Sequence, residues 1–142
     1  MNKNQLVVQE DEWGCGVACV ASLLGITYID AMDRLQEANL HKIDFANEGL
    51  ELEPIISVLK KAGMRVSIEN NLKLWPIGTI AFLNENDGDY KGSGHYLLRT
   101  TEGWMDPWYN VLYQNPQPRQ AKFRKLLPRN TSVQAALVPE AG

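Results

Sequence analysis

Two cysteines, two histidines and a handful of carboxylates carry most of the reactive chemistry in this 142-residue chain. Cys15 and Cys19 stand four apart in Trp13-Gly14-Cys15-Gly16-Val17-Ala18-Cys19. On a helix that spacing stacks both side chains on one face. Only His41 and His95 are on hand to complete a metal site, so neither a metal nor a cofactor is expected. The two thiols differ in context. Cys15 lies between glycines at the start of an apolar stretch, where the free N–H groups of a helix N-terminus favour a thiolate. Cys19 lies among Ala and Val and reads as a small core residue. His95 follows Gly92-Ser93-Gly94, small residues that leave room for a substrate or a partner side chain. Asp106 comes eleven residues later, and a hairpin turning at Glu102-Gly103 would return it to the side of His95. A thiol, an imidazole and a carboxylate so arranged perform nucleophilic acyl transfer. Gln9, six residues before Cys15, can place an amide near the sulfur. Each residue also has a plain structural reading: buried thiol, sheet histidine, Asp-Pro turn, surface glutamine.

The elements that must position these groups follow from periodicity. Val17, Val20, Ala21, Leu23 and Leu24 are apolar nearly all round, so Cys15–Leu24 reads as a buried helix stopped by Gly25. Thr27 can cap a second helix through about Asn39, with Ile29, Met32, Leu35 and Ala38 at helical steps. After a polar connection from Leu40 to Gly49, a third helix fits Leu52–Ala62 and ends at Gly63. The period then changes to two. Met64, Val66 and Ile68 alternate with polar residues as in a half-buried strand. Ile77–Leu83, apolar almost throughout, reads as a central strand. Asn84 to Gly94 reads as a loop, His95–Thr101 and Trp104–Asp106 as a hairpin, and Val133–Val138 as the last strand. Asn115 to Arg119 is irregular, and Lys122–Leu127 reads as a short helical turn. Helices first and antiparallel strands afterwards give an α+β class, with the helices on one face of the sheet.

Composition bounds the function classes. Apolar residues make up 44% and charged residues 22%, a globular balance that argues against disorder. The length suits a single domain over 1–142. A net charge of −3 excludes a generally basic nucleic-acid binder, while allowing a local basic patch. Two cysteines cannot make a disulfide-rich scaffold. The N-terminus lacks a secretory apolar core, and Val17 to Gly25 is far shorter than a membrane span. A cytoplasmic protein without a membrane segment is therefore expected, with signal-independent export left open. Trp75, Trp104, Trp108 and Tyr109 can either line a cleft or pack against the sheet.

Gln9, Cys15-Gly16-Val17-Ala18-Cys19 and Leu23-Leu24-Gly25 together resemble the opening of the double-glycine leader peptidases. These are papain-like cysteine peptidase domains fused to bacteriocin-exporting ABC transporters, with related stand-alone domains. Gly94-His95-Tyr96 and Asp106-Pro107 look like the family's histidine block and its Asp-Pro. Glu48-Gly49-Leu50 and Leu59 to Met64 look like its third helix and exit. Gly14 stands where the family places an acidic residue, with Asp11 and Glu12 upstream. The resemblance implies a papain-like fold in which Cys15 is the nucleophile, His95 the base and Asp106 the residue orienting the imidazole. Gln9 would donate to the oxyanion. It also implies a peptide or protein substrate, cut after a small residue such as the second of a Gly-Gly pair. The glycines at 14, 92 and 94 suggest a narrow groove. Two other readings use the same residues: a thiol acyl-transfer or deamidase effector, and a peptide-binding domain that does not cut.

Overall fold

The computed structural model describes residues 4–11, 13–39, 42–44, 50–85, 94–109, 118–129 and 131–140. Among these residues the chain forms three helices followed by six strands. The helices are α1 (Cys15–Leu24), α2 (Tyr28–Ala38) and α3 (Leu52–Lys61). The strands are β1 (Val66–Glu69), β2 (Ile80–Glu85), β3 (Gly94–Thr100), β4 (Gly103–Asp106), β5 (Lys122–Arg124) and β6 (Thr131–Pro139). All strand pairs are antiparallel, in the order β1-β6-β2-β3-β4-β5. The class is α+β, as the order of helical and alternating patterns implies.

Local chemistry sets the helix ends. Gly25 adopts φ 69°, a left-handed conformation that a side chain disfavours, and its N–H closes on the last turn of α1. The Thr27 hydroxyl accepts the Asp30 N–H at 3.1 Å and caps α2. Among the described residues no single helix is long and apolar enough to cross a membrane.

The pleat separates two cores. Ile80, Tyr96, Leu98, Met105 and Leu137 face the helices and join Val17, Val20, Leu35, Ile55 and Leu59 in the main cluster. Their neighbours Ala81, Leu97, Trp104, Ala136 and Val138 face the other way and form a smaller cluster capped by Trp75 and Leu127. The tryptophans at 75 and 104 therefore pack against the sheet.

The expectations for Ile77–Leu83, for the loop from Asn84 and for Lys122–Leu127 are corrected. β2 begins at Ile80, not Ile77, because a turn precedes it: the Thr79 N–H bonds the Pro76 carbonyl at 3.1 Å, leaving Ile77 exposed at the corner. β2 also runs on through Asn84 and Glu85, into the stretch read as loop. Lys122–Arg124 is a strand rather than a helical turn. It pairs with β4 through Trp104 opposite Arg124 and Asp106 opposite Lys122. Gly103 lets β5 approach, since its φ is 121° and a Cβ there would collide with the Arg124 carbonyl. Most of the 40–49 connection, most of the 84–94 loop and residues 110–117 lie outside the described residues.

Candidate active site

The start of β3, the end of β4 and the first turn of α1 meet at one point. Leu98 pairs with Met105, and by the same register Leu97 lies opposite Asp106. His95 is two residues from Leu97, so it shares a pleat face with Asp106 and lies diagonally across from it. Arg124, opposite Trp104 on β5, shares that face too. The result is a diagonal row across three strands. His95 Nε2 donates to Asp106 Oδ1 at 2.7 Å, and Arg124 Nε donates to Asp106 Oδ2 at 2.7 Å. The Trp108 N–H adds a third bond to Oδ1 at 3.1 Å.

Asp106 is 1% exposed. Burial opposes its ionisation, but the His95 charge and hydrogen bond, with Arg124, outweigh burial and hold the carboxyl below its ordinary value. His95 is 12% exposed. Burial again disfavours the charged form, yet the Asp106 carboxylate, helped by the Cys15 sulfur, lifts the imidazole well above its usual range. The pair is thus built to hold a proton on the ring.

Cys15 is brought to this row by α1. Its sulfur accepts the Tyr96 backbone N–H at 3.3 Å, which sets it beside His95, the preceding residue of β3. With Nε2 held by Asp106, Nδ1 is the ring nitrogen left for the thiol. Gly16 permits the approach of α1 to β3: a Cβ there would press on Tyr96 and Leu50 at 3.0–3.1 Å. Cys15 is the first residue of α1, and the helix's first backbone bond runs from Ala18 N–H to Gly14 O at 3.1 Å. The Cys15 N–H therefore has no partner within the helix.

Gln9 is buried beside this turn. Its backbone N–H bonds the Pro107 carbonyl at 3.3 Å, and its Nε2 donates to the Asp11 carbonyl at 2.9 Å. The same carbonyl accepts the Gly14 N–H at 3.1 Å. Gln9 thus links the end of β4 to the entry of α1.

Gly14 explains its own identity. A Cβ there would overlap the Tyr28 hydroxyl. That hydroxyl donates to Asp11 Oδ2 at 2.8 Å and accepts the Asp11 N–H at 3.3 Å. Burial, reinforced by the Asp11 carboxylate, pushes the phenol well above its ordinary range. An acidic side chain at position 14 has no space, and the carboxylate near the turn comes from Asp11 instead.

The Cys15 side of the site opens on a cleft of about 330 Å³ whose walls include Trp13, Leu50, Glu51, Phe82 and Gly94. The Tyr96 hydroxyl donates to the Leu50 carbonyl at 2.7 Å and fixes one wall against β3. The space beside Gly94 is filled by the Phe82 ring. Gly14 does not form part of this wall. The Trp108 and Tyr109 rings are not among the cleft walls; they lie under the Arg119 and Arg124 guanidinium groups at 4.8 and 4.4 Å. Both cysteines are free thiols, and among the described residues no group of three or more His, Cys, Asp or Glu is placed to hold a metal ion. His41 lies outside the described residues.

Of the expected site residues Cys15, His95, Asp106 and Gln9, the fold brings Cys15, His95 and Asp106 to this point, while the Gln9 side chain bonds the Asp11 carbonyl at the entry of α1. The sequence reading missed Arg124, Tyr28 and Trp13. No local signal marks Arg124, whose place depends on β5 pairing with β4. No family model matches the chain, and no curated protein matches it.

Proposed function

We propose that this chain is a papain-like cysteine peptidase, related in plan to the double-glycine leader peptidases. The observation that carries the reading is the buried set Cys15, His95, Asp106: a thiol at a helix N-terminus beside an imidazole whose other nitrogen is held by a carboxylate. The Cys15 sulfur attacks the carbonyl carbon of a peptide bond, its proton held on His95 Nδ1. The tetrahedral oxyanion is met by the Cys15 N–H and the Gln9 side-chain amide, a donor of this kind contributing about 2.7–4 kcal/mol. Collapse of the intermediate breaks the C–N bond, and His95 gives its proton to the leaving amine. Water, deprotonated by His95, then hydrolyses the thioester and restores the thiol. Asp106 holds the ring in one orientation and stabilises the imidazolium; Arg124 and the Trp108 N–H in turn hold Asp106. The Phe82 ring, where it fills the space beside Gly94, narrows the cleft and supports a small residue at the cut.

The test is incubation with a peptide-aldehyde and with a peptide library ending in small residues, read by mass spectrometry. Labelling at Cys15 together with cleaved products supports the peptidase. Labelling with a glutamine-to-glutamate mass change and no cleavage points to the deamidase. Peptide binding without covalent adduct or product points to the non-cutting domain.

A further inference from the structure

The opposite end of the sheet from β1 carries a cationic surface that the proposed catalysis does not use. From Arg119 to Arg129 the sequence has five cations and no acid, in a chain whose net charge is −3. β5 within this stretch is the last strand of the sheet, with β4 on one side and no strand on the other among the described residues. Beside it lies an open groove of about 530 Å³, whose walls include Tyr109, Lys122, Lys125, Leu126, Leu127 and Arg129. Within the described residues no carboxylate pairs with Lys122, Lys125 or Arg129; Arg124 alone in this groove does so, through Asp106. The Lys122 ammonium is held over the Tyr109 ring at 5.0 Å, which fixes a cation along the groove. Leu126 is 80% exposed between these charges.

We infer that this groove docks an acidic peptide segment that carries an apolar residue. Charge complementarity decides the sign of the occupant. Four of the groove's residues are cations, none is an acid, and a peptide carboxylate is the natural partner for clustered Lys and Arg. Leu126 and Leu127 supply the apolar contact that a purely anionic polymer would not need. The surface is also small and confined to one sheet edge of an acidic chain, which disfavours a nucleic acid. Binding here is independent of acyl transfer, so it stands whether or not Cys15 is a nucleophile. Arg124 lines the groove and also bonds Asp106, so a docked segment lies one side chain from the catalytic row.

The experiment is fluorescence anisotropy of a labelled peptide of alternating Glu and Leu, measured on the native chain and on a Lys125→Glu, Arg129→Glu double variant whose melting is checked in parallel. Saturable binding that weakens about tenfold in the double variant and with added salt is the expected result. Leu126→Ala should weaken it by a smaller factor. Lys125, Leu126 and Arg129 do not line the Cys15 cleft, so cleavage or probe labelling stays at the native level. A matched Lys-Leu peptide that binds equally well overturns the inference. So does a double variant that binds normally, or a single-stranded oligonucleotide that displaces the peptide at lower concentration. Self-association of the chain through this edge, seen as a dimer that the double variant abolishes, also overturns it.

Discussion

The first and second turns of α1 hold chemically identical side chains in opposite circumstances. Cys15 is 5% exposed, accepts an N–H from β3 and borders a cleft. Cys19, one turn later on the same face, is 0% exposed within the main core. Burial, with the charges of Cys15 and Asp106 adding to it, pushes the Cys19 thiol well above its ordinary value. Placement at the helix end, rather than the residue type, separates the thiol that borders the cleft from the thiol that only packs. Both turns belong to the main core, but only the first also borders the cleft and serves the proposed chemistry.

The largest expected effect is at the first turn. Cys15→Ala should abolish both covalent labelling and peptide cleavage while changing stability by on the order of 1 kcal/mol. A melt that collapses in this variant would make packing the main role of Cys15 and erase the contrast. Next comes Asp106→Ala, which leaves His95 and Arg124 facing an empty buried site. Removing one partner of such a pair costs about 3–5 kcal/mol, so chemical denaturation should show a large loss together with lost activity. Gln9→Ala should slow acylation by a factor on the order of 10²–10³ if its amide meets the oxyanion; single-turnover rates on purified variant give the answer, and an unchanged rate removes Gln9 from the mechanism. Cys19→Ser should act on the second turn only. A hydroxyl without a partner there costs roughly 1–3 kcal/mol, and the probe should label Cys15 at the native rate. A fall in labelling that exceeds the unfolded fraction would show that the two turns are coupled.

The smallest effect is in pH dependence. Asp106 has a folded value below its ordinary 3.8, so its contribution is complete above that pH and is lost as pH falls through the folded value. His95 has a folded value above 6.5, so its contribution is complete below 6.5 and is lost as pH rises through the folded value. The pair's stabilisation is therefore full between 3.8 and 6.5 and declines on both sides. Melting temperatures of the native chain against His95→Gln should converge on the alkaline side; a gap that widens there contradicts the pairing.

The parts of the fold that local chemistry determines were legible. The bounds of α1, the Thr27 cap and the Gly25 stop depend on residues within a few positions, and the reading of them matches the structure. The His95 and Asp106 pairing was legible because a hairpin joins them. β5 was not, since three residues acquire strand identity only by pairing with β4, and nothing inside Lys122–Leu127 announces that partner. Arg124 was missed for the same reason. Tyr28 was missed because its role depends on α2 docking its first residue against the entry of α1, a contact fourteen positions away in the chain.

The hydroxyl of Tyr28 fills the space that any side chain at position 14 would need. The two positions are therefore not free to vary in either order. Gly14→Ala made first meets the hydroxyl and distorts the turn that presents Cys15, whereas the same change made after Tyr28→Phe meets one atom fewer. The two substitutions are therefore coupled: growing the glycine costs less after the phenol has lost its oxygen than before it.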